Sequence, residues 1–433
     1  MRGVAKHFLT MKAGALRSRA RRLIALTPNE VGLRPGDMPY APSAAHFAAA
    51  GRRLSAIDRE IRRRLKELAQ LPPRQRDEDR LVAIAMVERE VDRARRAFGL
   101  FFEVFAQRGT AFAPSLAAHD AIARDCYAAI RAAAPRIFRG PLLAPITYLE
   151  HGYSPATMRR GVTLSRLLGE RNPFPLIRIP YDRDQPWQAV FLHEVAHNIQ
   201  ADLGLWVENR EAIIARLVTD RLPPKVVSIF GRWQKEIFAD MAAVLLGGPA
   251  VAWGMAEFLA HPSDKVMTYR PGGPHPTGYL RILLLAEQLR QLGFSADAER
   301  LAATWRTLYA PQRGHRIPAE LLRFADKTLP AVVDEVVFQS RRNLAERALV
   351  RVIPFTPADQ ARIVHGGRVL AEGRVPADLP PRYLVSACRY ALAHGACAHR
   401  LNQLVTDHLC HPATAHADQG PPAARRIPTR LAA

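Results

Sequence analysis

The chain has 433 residues, 48% of them apolar, which is material for one large packed domain or two to three smaller ones and excludes a chain that stays disordered. Its 62 Lys+Arg against 40 Asp+Glu give a formal net charge of +22, a balance that admits an anionic partner such as nucleic acid. The basic residues, 55 of them Arg, are spread along the whole chain, and neither an aromatic-interleaved basic strand nor a recognition-helix pattern accompanies them, so nucleic acid is not the favoured partner.

Four dispersed cysteines (Cys126, Cys388, Cys397, Cys410) do not make a disulfide framework, and the charged N-terminus lacks an apolar segment of signal-peptide length. A reducing cytoplasm is the expected compartment. Residues 1 to about 42 form a basic lead-in ending in a Pro/Gly-rich passage (Pro35-Gly36, Pro39, Pro42), expected to be irregular or only partly helical. Ser43 then reads as the N-cap of a long helix to about Leu71. Its apolar positions Phe47, Leu54, Ile57, Ile61, Leu65 and Leu68 recur at three- and four-residue steps. Pro72-Pro73 breaks it, and a second amphipathic helix runs from about Asp77 to Ala106, so that 43–112 is predicted to be an antiparallel helical hairpin.

A third helix is predicted over Ser115–Ala133, the start of a central domain spanning 113–345. The Pro/Gly-rich stretch after it holds two short β-like runs, Ile146-Thr147-Tyr148-Leu149 and Leu176-Ile177-Arg178-Ile179. A helix from about Gln185 (start signal Asp184-Gln185-Pro186) to Leu203, stopped by Gly204, comes next. Helices are then expected over 209–221, 223–247, 250–261, 276–292, 295–309 and 318–339. The most apolar stretch, Met241 to Ala260, is interrupted by Gly247-Gly248-Pro249 and contains Glu257, which makes it two buried helices and no membrane span. The C-terminal region, 346–433, offers a strand at Leu349–Ile353, two or three more helices and an Ala/Pro/Arg-rich frayed tail. No solenoid-type repeat is present. The fold class expected is mainly α with a small β-sheet (α+β).

The helix Trp187 to His197 carries His193-Glu194-Val195-Ala196-His197. Two imidazoles four residues apart lie on one helical face, where both reach a single cation. Glu194 projects to the side of that face, suited to hold a water rather than the metal. Neutral imidazole suits Zn²⁺, and a catalytic zinc needs a third protein ligand and an open position. The apolar segment Trp233 to Ala243 supplies a carboxylate pair one turn apart: Glu236 as third ligand, and Asp240 to accept the remaining ring N–H of a ligating His. Its flanking residues leave little polar face, so both acids should be inside and need partners.

This arrangement resembles that of the gluzincins, zinc metallopeptidases in which His-Glu-x-x-His is completed by a Glu on a downstream helix, commonly with an Asp four residues further on. The resemblance covers about 174–285 and implies a zincin-like core with zinc at His193, His197 and Glu236 and with Glu194 as general base. Lys235, where some members have Asn, departs from the thermolysin-like pattern. Several gluzincin-like families also place a His-Pro segment and a following Arg near the active site; here the loop Tyr269–Thr277 holds His275-Pro276, followed by Tyr279 and Arg281. His275 or Tyr279 could donate to the oxyanion, and Arg281 could pair with a buried acid such as Asp240. The reading is a zinc-dependent hydrolase acting on a peptide or protein. Its rivals are a non-catalytic zinc protein that engages a partner through the hairpin, and a basic nucleic-acid-associated protein. The Cys388, His394, Cys397, His399, His408, Cys410, His411 group lacks the spacing of a structural zinc site and is expected to be buried thiols and surface imidazoles.

Overall fold

Leu9, Leu16 and Ala20 stand one and two turns apart, and in the computed structural model they are buried on one side of helix α1 (Arg2–Arg21). The lead-in is thus partly helical, its first half held by this stripe against the hairpin that follows. The structure describes residues 2–72, 74–138, 142–152, 155–160, 172–183, 185, 187–310 and 316–410. The hairpin consists of α2 (Ala44–Ala69) and α3 (Asp77–Ala106). Ser43 precedes α2 as expected, but its hydroxyl meets His46 Nδ1 at 2.8 Å instead of capping a backbone N–H. Three acids open α3 (Asp77, Glu78, Asp79), where negative charge favours a helix N-terminus.

Helix α4 (Ala113–Ala133) leads to a three-stranded sheet of β1 (Ile146–Leu149), β2 (Ala156–Met158) and β3 (Leu176–Ile179). β3 is central: β1 pairs with it in parallel and β2 antiparallel. Side chains alternate across this sheet. Ile146, Tyr148 and Leu176 join the core under the three N-terminal helices, whereas Leu149, Ile177 and Ile179 join the larger core beyond. Burial on both faces explains why β1 and β3 read as nearly continuous apolar runs.

The larger core is built around α5 (Val190–Asp202), α6 (Leu205–Thr219), α7 (Pro224–Gly247) and α8 (Pro249–Leu259). The expected start signal of α5 lies partly outside the described residues (Asp184, Pro186), and the helix begins only at Val190. Gly204, at φ +68°, takes the left-handed turn that ends α5 and admits α6 directly. Helix α7 is buried almost all round, with Trp233 and Phe238 essentially inaccessible. It stops at Gly248, which has φ +76° and faces the Phe355 ring at a distance no Cβ would tolerate.

A short α9 (Ser263–Val266) precedes α10 (Gly278–Gln291) and α11 (Ser295–Leu308). The single helix expected over 318–339 is instead α12 (Ala319–Arg323), α13 (Ala325–Val333) and a π-turn at 334–338, broken at Phe324. A two-stranded ladder, β4 (Ser340–Arg341) with β5 (Arg347–Ala348), follows. The strand expected at Leu349–Ile353 is the helical turn α14 (Leu349–Val352). Leu349, Val352 and Ile353 are buried at helical spacing, so docking into the core overrides their β-branched preference. Helices α15 (Pro357–Ala371), α16 (Pro381–Ala393) and α17 (Ala398–Cys410) complete the described chain. The frayed tail expected at the end lies outside the described residues. The molecule is mainly helical with a small sheet, and no described helix is long and apolar enough to cross a membrane.

Candidate metal centre

Helices α5 and α7 pack side by side, and this packing fixes the separation of the groups they carry. His193 and His197 stand one turn apart on α5, with ring centroids 4.6 Å apart and planes at 82°. Glu236 on α7 faces both: its Oε2 lies 3.5 Å from His193 Nε2 and its Oε1 3.4 Å from His197 Nε2. One ligand atom from each of the three lies within 4.8 Å of the others, and among the described residues this is the one group of His, Cys, Asp and Glu side chains so placed. Four ligands held about 2.0–2.1 Å from a tetrahedral ion are separated by about 3.4 Å, and each imidazole nitrogen lies near that distance from one Glu236 oxygen, Oε2 for His193 and Oε1 for His197. The residues therefore fit a metal ion: two imidazole nitrogens and one carboxylate are close enough together to share one.

The surroundings hold that point in place. Asp240 Oδ1 is 2.8 Å from His193 Nδ1, close enough for strong attraction although the approach misses the geometry of a hydrogen bond. Arg281 on α10 grips the same carboxylate with two bonds, Nε to Oδ2 at 2.8 Å and Nη2 to Oδ1 at 2.7 Å. It also comes within 4.0 Å of Glu236. Burial works against every charge here. It pulls the His193 imidazole down, but Asp240 and Glu236 outweigh it and hold that ring up at about 9. Burial raises the Glu236 and Asp240 carboxyls, and their cationic neighbours more than compensate: His193 and His197 draw Glu236 well down, and Arg281 with His193 draws Asp240 down.

The cluster opens on a cleft of about 410 Å³ lined by residues of β2, α5, α7 and α8. Glu194 lines it beside these three residues, and Thr157 on β2 donates to Glu194 Oε2 at 2.8 Å and to Glu194 O at 2.9 Å. His275 is 64% exposed at the mouth, with Nε2 3.6 Å from Glu236 Oε1. Arg159, just after β2, and Lys235, just before Glu236, are on the same wall. Both reach the indole of Trp206, at 3.5 Å and 4.1 Å from its centroid. Burial lowers the Arg159 guanidinium, and burial together with Arg159 lowers the Lys235 ammonium.

The structure thus brings His193, Glu194, His197, Glu236, Asp240, Arg281 and His275 together, and leaves Tyr279 out. That side chain is buried in the core, at 5% exposure. Two residues on one helix differ by about 200° in direction, so with Arg281 turned to Asp240 the Tyr279 ring is turned away from the cleft. Thr157, Arg159 and Trp206 were not legible beforehand. Three strand residues carry no periodicity, and Trp206 lies in what the sequence suggests is a loop before the next helix. Of the C-terminal Cys/His group, Cys388 is buried and His394 and His399 are exposed as expected, but Cys397 is exposed too; His411 lies outside the described residues.

Family models, curated proteins and solved structures were compared with this chain, and none matches it.

Proposed function

We propose that the chain is a zinc-dependent hydrolase with a zincin-like core, and that its substrates are peptides. The observation that carries the reading is the convergence of His193, His197 and Glu236 on one point of a cleft that Glu194 also lines. A donor set of two imidazole nitrogens and one carboxylate suits zinc better than magnesium or calcium, which take oxygen donors. Bound there, zinc supplies Lewis acidity, polarising a carbonyl oxygen and acidifying a water.

The protein's own residues do the rest. Glu194 takes a proton from the attacking water and passes it to the leaving amine. Thr157 occupies one of its carboxylate oxygens and so orients the other. Asp240, itself clamped by Arg281, anchors His193. His275 is the residue at the mouth able to donate to the developing oxyanion. A peptide is favoured because β2, the outer strand among those described, contributes Ala156 and Thr157 to the cleft wall, where an extended chain can pair as a further strand. The test is Glu194→Gln. Turnover of a peptide library should fall by a factor on the order of 10²–10⁴ with zinc content unchanged; undiminished cleavage would remove Glu194 from the mechanism.

A further inference from the structure

Charge within the cleft does not balance. A divalent cation and Arg281 bring three positive charges against the three carboxylates of Glu194, Glu236 and Asp240. Arg159 and Lys235 remain. Among the described residues neither has a carboxylate within ion-pair distance, and the acid nearest Lys235 in sequence, Glu236, is turned to the two histidines. Several arginines on α2 and α3 are treated otherwise, pairing with acids three or four residues away, as Arg63 does with Glu60 and Glu67, and Arg95 with Asp92. Arg159 is half-buried, and both cationic heads are held on the Trp206 indole instead of ranging through solvent. Two cations fixed on one aromatic surface, in the wall of a cleft and without an acid, are a preorganised receptor for an anion.

Resting on the peptidase reading for its setting, we propose that Arg159 and Lys235 bind a substrate carboxylate, so that the enzyme selects peptides bearing an acidic group close to the scissile bond. That carboxylate is either an Asp or Glu side chain or the C-terminal α-carboxylate. Arg159 provides a planar fork for it and Lys235 a point charge, and Trp206 acts behind them as a positioning residue.

The probes are short labelled alanine-rich peptides with one Glu placed at each position in turn, and with the C-terminus free or amidated. Cleavage is measured with the zinc-loaded protein, and binding, by fluorescence anisotropy, with zinc-loaded Glu194→Gln. Glu at one fixed position should tighten binding on the order of tenfold over the all-Ala amide. If the free C-terminus is the ligand, the gain should instead follow the free carboxylate and ignore the placement of Glu. Lys235 is exposed, so Lys235→Gln should fold normally. In the Glu194→Gln background it should erase most of the gain, as should Arg159→Gln, while Lys235→Arg should retain it. Acidic peptides that bind no better than the neutral amide, or a gain that survives both Gln variants, would overturn the proposal. Cleavage without acidic preference would leave the peptidase reading intact and sink this one. Acidic selectivity in binding with no cleavage of any peptide would do the reverse.

Discussion

His193 is held from both sides, by Glu236 near Nε2 and by Asp240 near Nδ1, and the second contact carries an immediate consequence. Asp240 is buried, and its carboxylate is shared between the imidazole and the two-bond grip of Arg281. In Asp240→Asn the His193 ring loses its anchor, which should weaken zinc binding about 10–100-fold in a chelator competition. The same change leaves the Arg281 guanidinium buried without its counter-charge, a loss of roughly 3–5 kcal/mol that urea denaturation would register. Zinc affinity and stability both matching the parent protein would show that Asp240 anchors nothing. Much of this was legible in residues alone. His193 and His197 at i, i+4, and Glu236 and Asp240 at the same interval on a helix with little polar face, point to partners that meet one another inside the protein. Thr157 was not, since a contact across 37 residues to the backbone and carboxylate of Glu194 leaves no local mark.

Between elements, the position of α5 depends on what packs behind it. His119 of α4 is fully buried against the Phe191 ring, centroids 4.6 Å apart, and its Nδ1 lies 2.8 Å from Ser115 O. Burial dominates there and pushes the imidazole down to about 4. A histidine depressed in the folded state favours the neutral ring. Its contribution is therefore complete above the ordinary value near 6.5 and is lost as the pH falls from there towards 4. The loss by pH 4.5 amounts to about 2–3 kcal/mol. Stability measured by urea at pH 7.5 and 4.5 should thus fall by that much more in the parent protein than in His119→Phe; equal losses in the two would mean that His119 titrates normally. Elements with sustained periodicity, α2, α3, α7 and α10, were readable to within a few residues. Shorter ones were not. At Leu349–Val352 the β-branched run describes a strand as well as a helical turn, and only the core it enters decides between them. In α1 the basic composition hid an apolar stripe that has meaning only beside α3.

Across the whole molecule, the small sheet separates two cores, one under the N-terminal helices and the larger one that carries α5 and α7. The cleft opens where the outer strand β2 meets that larger core, so its walls come from elements far apart in the chain: Arg159, Lys235 and His275 line it together. Such convergence cannot be read from a linear pattern, so the sequence points to the His193, His197 and Glu236 cluster and not to the cationic wall. The net charge of +22 takes on a local meaning there, since Arg159 and Lys235 stand together on one indole in the cleft wall. Everything proposed for the cleft depends on a metal at its floor. The measurement that bears on it most directly is metal analysis of the purified protein beside His193→Ala. Zinc near one per chain in the parent and near zero in the variant is the predicted result; zinc unchanged in the variant, or none taken up by the parent, would contradict it.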